Sequence, residues 1–352
     1  MNLDTVPNDL HILVTRLQNI GDVLTFIPAL RTLRQALPRA TITFLGKHAG
    51  GLDIMRNCPY IDDTLVVRGR GWREKLRLVR ELRRRRIDYF IISPQDLGRV
   101  PLAWLGGARH IVGYPCFYNY GRRQREKLPG LLDIAPKHDR SLTEVENCLR
   151  LVQDVLDDIG VPMPVEASTR LEYTWETSDD TARAAHLLAA KGISAGDYVV
   201  AAAPFSKRPA KNWPAARFVE LFRQLCAAWR CRVLLLGGTA ERALTDEVCA
   251  GVGPACTTCA GETTLGQSAV LLRRAQLFVG PDSGPAFLAT AVGTPVVALY
   301  GPADFYRWRP PQNDVPRINI VHPLPCNPCR HQVCPLTPSC MERISVAEVV
   351  AA

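Results

Sequence analysis

Apolar residues in this chain fall in short blocks, and between the blocks they recur every three or four positions. In the first half the blocks Ile12 to Val14, Thr41 to Leu45, Thr64 to Val67, Tyr89 to Ser93 and His110 to Gly113 predict strands. The intervening stretches Ala29 to Leu37, Trp72 to Arg86 and Pro101 to Leu105 predict helices. A longer helix is predicted from about Leu142 to Ile159, with Val145, Leu149, Val152, Val155 and Leu156 at helical spacing. Strands alternating with helices specify a parallel sheet covered on both faces. Residues 160 to 178 break the pattern with Gly160, Pro162 and Pro164 and read as a linker. The alternation then restarts with strand Tyr198 to Ala203, helix Ala215 to Trp229, strand Arg232 to Leu236 and helices Ala240 to Ala250 and Gly266 to Arg274. Strand Leu277 to Gly280, helix Ala286 to Val292 and strand Val296 to Tyr300 follow. The fold class is α/β with two Rossmann-like domains, residues 1–165 and 166–352, the second ending in a cysteine-rich tail at 326–340.

Two strand-to-helix turns stand out. In Val279-Gly280-Pro281-Asp282-Ser283-Gly284-Pro285 a strand runs into a helix through a capping acid, a capping hydroxyl and a glycine. Such a turn aims backbone N–H groups and the positive helix end at an anion, although Asp-Ser-Gly alone is more often a plain N-cap. The N-terminal stretch from Ile12 to Leu30 holds a second opening, with Gly21-Asp22 just past the strand. Ligands of open parallel sheets sit at the carboxyl ends of the strands. A carboxylate at Asp22 is placed to deprotonate an acceptor hydroxyl, or else to cap the helix beginning near Val23.

Taken together these segments resemble glycosyltransferase family 9, the heptosyltransferases of lipopolysaccharide core assembly. The resemblance rests on Arg16, Gly21-Asp22 and Pro28-Ala29-Leu30, on Lys211-Asn212-Trp213-Pro214 with Phe218, on Leu236-Gly237-Gly238 with Glu241, and on Asp282-Ser283-Gly284-Pro285 with Gly293-Thr294-Pro295. It implies a GT-B fold, two Rossmann-like domains with parallel sheets facing across a cleft, and inverting transfer of heptose from ADP-heptose to an anionic inner-core acceptor. By the same resemblance Asp22 is the catalytic base, and no cofactor is needed for catalysis. Ser206, Lys211, Asp282, Ser283 and Gly284 hold the diphosphate and sugar of the donor; Glu241 takes the ribose hydroxyls, and Thr263 and Thr264 lie beside the adenine. Arg16, Arg68, Arg70, Arg73 and Arg122 belong to the acceptor side, where the planar guanidinium fork pairs with phosphate and carboxylate. One position departs from the family pattern: Phe287 stands where a His is usual, which opens other donors, with Lys207 and Arg208 as compensating cations.

Charge and cysteine content refine this picture. The net charge of +9 is concentrated early, since residues up to 165 carry 25 Lys+Arg against 18 Asp+Glu. The basic stretches Arg68 to Arg86 and Arg122 to Lys127 suit phosphorylated lipid or a membrane surface, or are solvated faces. No nucleic-acid recognition motif accompanies them, so nucleic acid is not expected as a partner. No run of 18 apolar residues and no signal-peptide pattern is present, which predicts a cytoplasmic protein in peripheral contact with the inner membrane. Twelve cysteines in that setting predict reduced thiols. Cys326, Cys329, Cys334 and Cys340 have spacing suited to structural zinc or iron, as in the four-cysteine finger of some family relatives, or are free thiols in a compact loop. Cys256 and Cys259 read as strand packing. A protein acceptor, another nucleotide sugar, or a sugar-nucleotide epimerase of the same fold remain open alternatives.

Overall fold

The computed structural model describes residues 9–16, 19–47, 51–69, 71–94, 96, 98–119, 122–310 and 315–352, and of 118, 119 and 122 only the backbone. The chain divides into two compact units, Met1–Leu171 and Glu172–Ala352.

The first unit runs β1 (His11–Thr15), α1 (Ile20–Leu24), α2 (Ile27–Ala36), β2 (Thr41–Lys47), α3 (Gly51–Met55), β3 (Asp63–Val67), α4 (Trp72–Arg85), β4 (Tyr89–Ile92), α5 (Val100–Leu105) and β5 (His110–Gly113). It continues through β6 (Cys116–Asn119), β7 (Arg122–Arg125) and α6 (Glu144–Ile159). The sheet order is β3-β2-β1-β4-β5, all parallel, so the chain reverses its direction of travel between β1 and β4. Ile12, Leu13 and Val14 are fully buried, because a parallel sheet covered on both faces asks for continuous apolar runs rather than alternation. Helix α6 begins in a reciprocal cap: Thr143 N donates to Glu146 Oε2 (2.7 Å) while Glu146 N donates to Thr143 Oγ1 (3.3 Å). It stops at Gly160, whose φ of 78° lies in the left-handed region that glycine adopts without steric cost. Arg122, Arg123 and Arg125 of the second basic cluster lie on β7, which pairs antiparallel with β6. Past α6, Arg31 of α2 donates to the carbonyls of Ser168 and Arg170, which ties the start of the connecting segment to the first unit.

The second unit runs α7 (Ser178–Ala190), β8 (Val199–Ala202), α8 (Ala215–Trp229), β9 (Arg232–Leu235), α9 (Arg242–Val252), β10 (Cys256–Thr258), α10 (Leu265–Arg274) and β11 (Leu277–Pro281). Then come α11 (Gly284–Ala291), β12 (Val296–Tyr300), α12 (Phe305–Trp308), β13 (Arg317–Val321) and α13 (Val346–Ala351). The parallel sheet has the order β10-β9-β8-β11-β12-β13, with its reversal between β8 and β11. Four elements of this unit escaped the sequence reading, α7, α12, β13 and α13. Helix α7 buries fully only Ala184, so its apolar stripe is faint. Strand β13 has no fully buried residue and carries Arg317 and Asn319. Helix α9 begins two residues later than expected, because Thr239–Glu241 forms a separate 3-10 turn. The core is built on Trp213, Phe218 and Phe222, with Trp213 edge-on to Phe218 at 4.9 Å, and it takes in Cys340, Met341 and Ile344 from the tail.

Candidate functional site

Each unit places its candidate residues at the carboxyl ends of its strands, on the loops that leave the sheet. In the second unit Ser206 and Lys211 leave β8, Glu241 follows β9, Thr263 and Thr264 follow β10, and Asp282 to Gly284 follow β11. The loops after β8 and β11 therefore flank the point where the strand order reverses, the position at which open α/β sheets bind ligands. Lys211 spans it: its Nζ donates to the backbone oxygen of Asp282 (2.9 Å) and to Asp282 Oδ2 (2.7 Å). Asp282 is buried, so its charge is tolerable only because this ammonium compensates it. Gly280 permits the close approach of the two strands, since a Cβ there would sit 3.1 Å from the Ala203 oxygen.

The N-terminus of α11 opens beside this pair. Ser283 is the N-cap residue, yet its side chain makes no cap hydrogen bond and its buried Oγ has no partner among the described residues. An unmade hydrogen bond of that kind costs free energy unless a ligand completes it. Phe287, one turn into α11, is 3% exposed and brings no polar atom to the turn. Of the proposed compensating cations, Lys207 is exposed, whereas Arg208 is anchored to the carbonyls of His331 and Cys329.

The remaining donor-side residues have defined local duties. The Ser206 hydroxyl donates to the Arg208 carbonyl (3.0 Å), and Ser206 N donates to Asn212 Oδ1 (2.8 Å), which shapes the loop that carries Lys211. Asn212 was not singled out from sequence. Glu241 Oε2 accepts from Gly238 N (2.7 Å), and its other carboxylate oxygen has no partner among the described residues. Thr264 caps α10 by accepting from Gln267 N (3.2 Å) and donates to Asp180 Oδ1 (3.0 Å), while Thr263 and Ser268 share a hydrogen bond of 2.8 Å. Asp180 lies over Gly266, where a Cβ would fall 2.5 Å from its Oδ2.

In the first unit Asp22 stands half-buried in α1, directly after β1, rather than ahead of a helix starting at Val23. Its Oδ2 accepts from Asn19 N (2.9 Å) and Asn19 Nδ2 (3.2 Å), while Oδ1 has no partner among the described residues. The backbone oxygen of Asp22 is held by Arg16 Nε and by Thr25 Oγ1, both at 2.8 Å.

Arg16 corrects one expectation. Read from sequence as an acceptor ligand, it is 1% exposed and spends its guanidinium inside the unit, on Glu144 Oε1 (2.9 Å), Ser93 Oγ (3.2 Å), Thr25 Oγ1 and Asp22 O. Burial favours loss of its proton, but the Glu144 carboxylate, together with Cys148, Asp22 and Asp96, outweighs burial and raises its pKa. Arg16 thus acts as the buried post on which the Asp22 turn is hung. Ser93, Asp96 and Glu144 complete this arrangement and were missed, since nothing local marks them. Asp96 is itself buried and accepts from Thr15 Oγ1 (2.8 Å). Arg68 and Arg73 are exposed: Arg68 N donates to Glu74 Oε1, and the Arg73 guanidinium lies 5.5 Å from the Trp72 ring centre. Arg70 and the Arg122 side chain lie outside the described residues.

The four tail cysteines are not gathered into a coordination shell. Among the described residues no three His, Cys, Asp or Glu side chains are placed to hold a metal ion. Cys326 is exposed while Cys340 is buried in the core, its thiol pushed up by burial and then by the neighbouring thiols. The backbone explains why, because the tail works as a strap. Gln332 O accepts from Ala210 N (2.8 Å), Cys329 N donates to Pro302 O (3.1 Å), and Ile344 O accepts from Trp213 Nε1 (2.9 Å). The bonds to Ala210 and Trp213 brace both sides of the Lys211 loop, and that from Cys329 ties the tail to the loop after β12. Cys256 and Cys259 are buried, as strand packing requires.

The family model described as glycosyltransferase family 9 (heptosyltransferase) matches residues 75–339. Lipopolysaccharide heptosyltransferase 2 of Escherichia coli K12 is 24% identical over 300 residues, covering 81% of this chain and 80% of its own. Lipopolysaccharide heptosyltransferase 3 of the same organism is 27% identical over 300 residues, covering 82% of each chain. The solved structure of E. coli ADP-heptose lps heptosyltransferase II superposes with a TM-score of 0.75 at 22% identity, covering 97% of both chains. The architecture of two Rossmann-like units is thereby that of the GT-B glycosyltransferases.

Proposed function

The chain belongs to glycosyltransferase family 9 and is a glycosyltransferase, and from that premise we propose that it moves heptose from ADP-heptose to an inner-core lipopolysaccharide acceptor. The observation that carries the donor half is the turn after β11. An unpartnered Ser283 hydroxyl, the α11 N-terminus and an ammonium at Lys211 converge where the strand order reverses. That set suits a diphosphate leaving group, whose developing charge needs oriented donors and a cation. Glu241, with one carboxylate oxygen uncommitted, takes the ribose hydroxyls, and the backbone around Thr263 and Thr264 lies beside the base.

Asp22 supplies the base. Its Oδ2 is oriented by Asn19, which leaves Oδ1 to accept the proton of the attacking hydroxyl as that oxygen bonds to the anomeric carbon and ADP departs. One displacement inverts the anomeric configuration. The acceptor anion is met by exposed arginines of the first unit, Arg68 and Arg73 among them, and not by Arg16. The acceptor is lipid-anchored, so the enzyme works peripherally at the cytoplasmic face of the inner membrane. No described helix is long and apolar enough to cross it.

ADP release from ADP-heptose, with and without heptose-deficient lipopolysaccharide, tests the reading. Acceptor-dependent release that Asp22→Asn abolishes, with nucleotide affinity retained, supports it. Release without acceptor points to an epimerase or hydrolase instead. Phe287 favours one variant of the proposal, a different sugar nucleotide, which the same assay detects when other donors replace ADP-heptose.

A further inference from the structure

Helices α4 and α5 carry a surface that the transfer chemistry does not use. Their inner faces pack Leu78, Leu82, Val100 and Ala103 into the core beside Leu13, Leu65 and Phe90, so the helices are fully anchored. Their outer faces nonetheless expose Trp72 (67%), Leu76 (43%), Trp104 (59%) and Leu105 (45%). Trp72 and Leu76 lie one turn apart on α4, on the stripe that also carries Arg83. Arg83 Nε donates to the Leu105 carbonyl at the end of α5 (2.9 Å), which joins the two apolar pairs into one strip. Around the strip Lys75, Arg80 and Arg83 form no ion pair among the described residues. The acids of α4 are spent elsewhere, Glu74 on Arg77 and Glu81 on Arg84 and Arg85.

The geometry points to this strip as the face by which the protein docks on an anionic lipid bilayer. Exposed tryptophans and leucines ringed by unpaired cations match a membrane interface on both counts. The indoles and leucines enter the boundary between headgroups and acyl chains, and the cations meet phosphate. A solvated helix face explains the arginines but leaves two exposed indoles and two exposed leucines without a purpose. Lipid binding is measured without any sugar and is independent of the transfer reaction.

The test is co-sedimentation of the full chain with vesicles of phosphatidylethanolamine and phosphatidylglycerol, against vesicles of phosphatidylcholine. Binding to the anionic vesicles that weakens with salt is expected. Lys75→Ala with Arg80→Ala lowers it roughly 25-fold, at about fivefold per cation, and Trp72→Ala with Trp104→Ala removes most of the remainder. These variants retain their melting temperature and their transfer to a deacylated, soluble acceptor. Failure of transfer in the unaltered protein, with vesicle binding intact, counts against the proposed reaction and not against this surface. Equal binding to both vesicle types, no effect of the tryptophan variants, or a dimer in light scattering that the same variants disperse in the absence of vesicle binding overturns the inference.

Discussion

Removing the Glu144 carboxylate leaves the Arg16 guanidinium charged, enclosed and without its counter-ion. Both side chains are 1% exposed or less and meet at 2.9 Å. Breaking such a pair from one side costs about 3–5 kcal/mol, because the surviving charge stays desolvated. Loss of an acid from the first turn of α6 adds ~0.3–1 kcal/mol, too little to account for the effect. For a unit the size of Met1–Leu171, at roughly 2–4 °C per kcal/mol, the Glu144→Ala transition is expected roughly 6–20 °C lower by scanning calorimetry. The double variant Arg16→Met, Glu144→Leu separates two roles. Apolar replacement of a buried pair is often neutral or better, so most of the stability returns. The hydrogen bond from Arg16 to the Asp22 carbonyl does not return, so transfer measured well below the melting temperature stays depressed. A shift under roughly 2 °C for Glu144→Ala, or a double variant that regains transfer together with stability, would refute the view of Arg16 as the buried support of the Asp22 turn.

Asp22→Asn keeps the shape of the turn and is expected to lower kcat by roughly 10²–10⁴ with donor affinity nearly unchanged; equal losses in both would remove Asp22 from the proton transfer. Lys211→Met leaves buried Asp282 without its counter-ion and forfeits a charge-assisted bond of about 1.5–3 kcal/mol to the diphosphate, so ADP affinity by titration calorimetry below the lowered melting temperature should fall roughly 10- to 150-fold, and unchanged affinity would place the lysine outside the donor site. His11 is held below its usual pKa, chiefly by burial and to a lesser degree by the Arg85 charge, against the pull of its hydrogen bond to the Arg85 carbonyl and of Asp88 and Asp63. Its neutral ring contributes stability that is complete above about pH 6.5 and lost as the pH falls through the lowered folded value. The melting temperature should therefore drop on acidification below that point, and less in His11→Gln; parallel profiles would exclude His11 as the cause. Dialysis against a chelator decides between the two readings of the tail thiols, a fall in melting temperature showing that they share a metal and no change that they are free.

How far the sequence could be read depended on how local the determining physics is. Strands β1, β4 and β5 were legible because a sheet covered on both faces demands unbroken apolar runs, and α4 and α6 because their buried stripes repeat at helical spacing. The turns after β1 and β11 were legible because acid, hydroxyl and glycine at a strand-helix junction form a local pattern. Helix α7 and strand β13 were not, as each buries too little apolar surface to show a period. The pairings that define the site were beyond reach for a different reason. Arg16 and Glu144 stand 128 positions apart, Lys211 and Asp282 stand 71 apart, and the tail reaches back more than 100 positions to brace the Lys211 loop. Residue type and spacing determined which groups could ionise, cap or bind. Only the folded chain decided that Arg16 is enclosed, that the Ser283 hydroxyl has no partner among the described residues and that Cys340 is buried while Cys326 is exposed, because burial and partner choice arise from contacts between segments that no local pattern encodes.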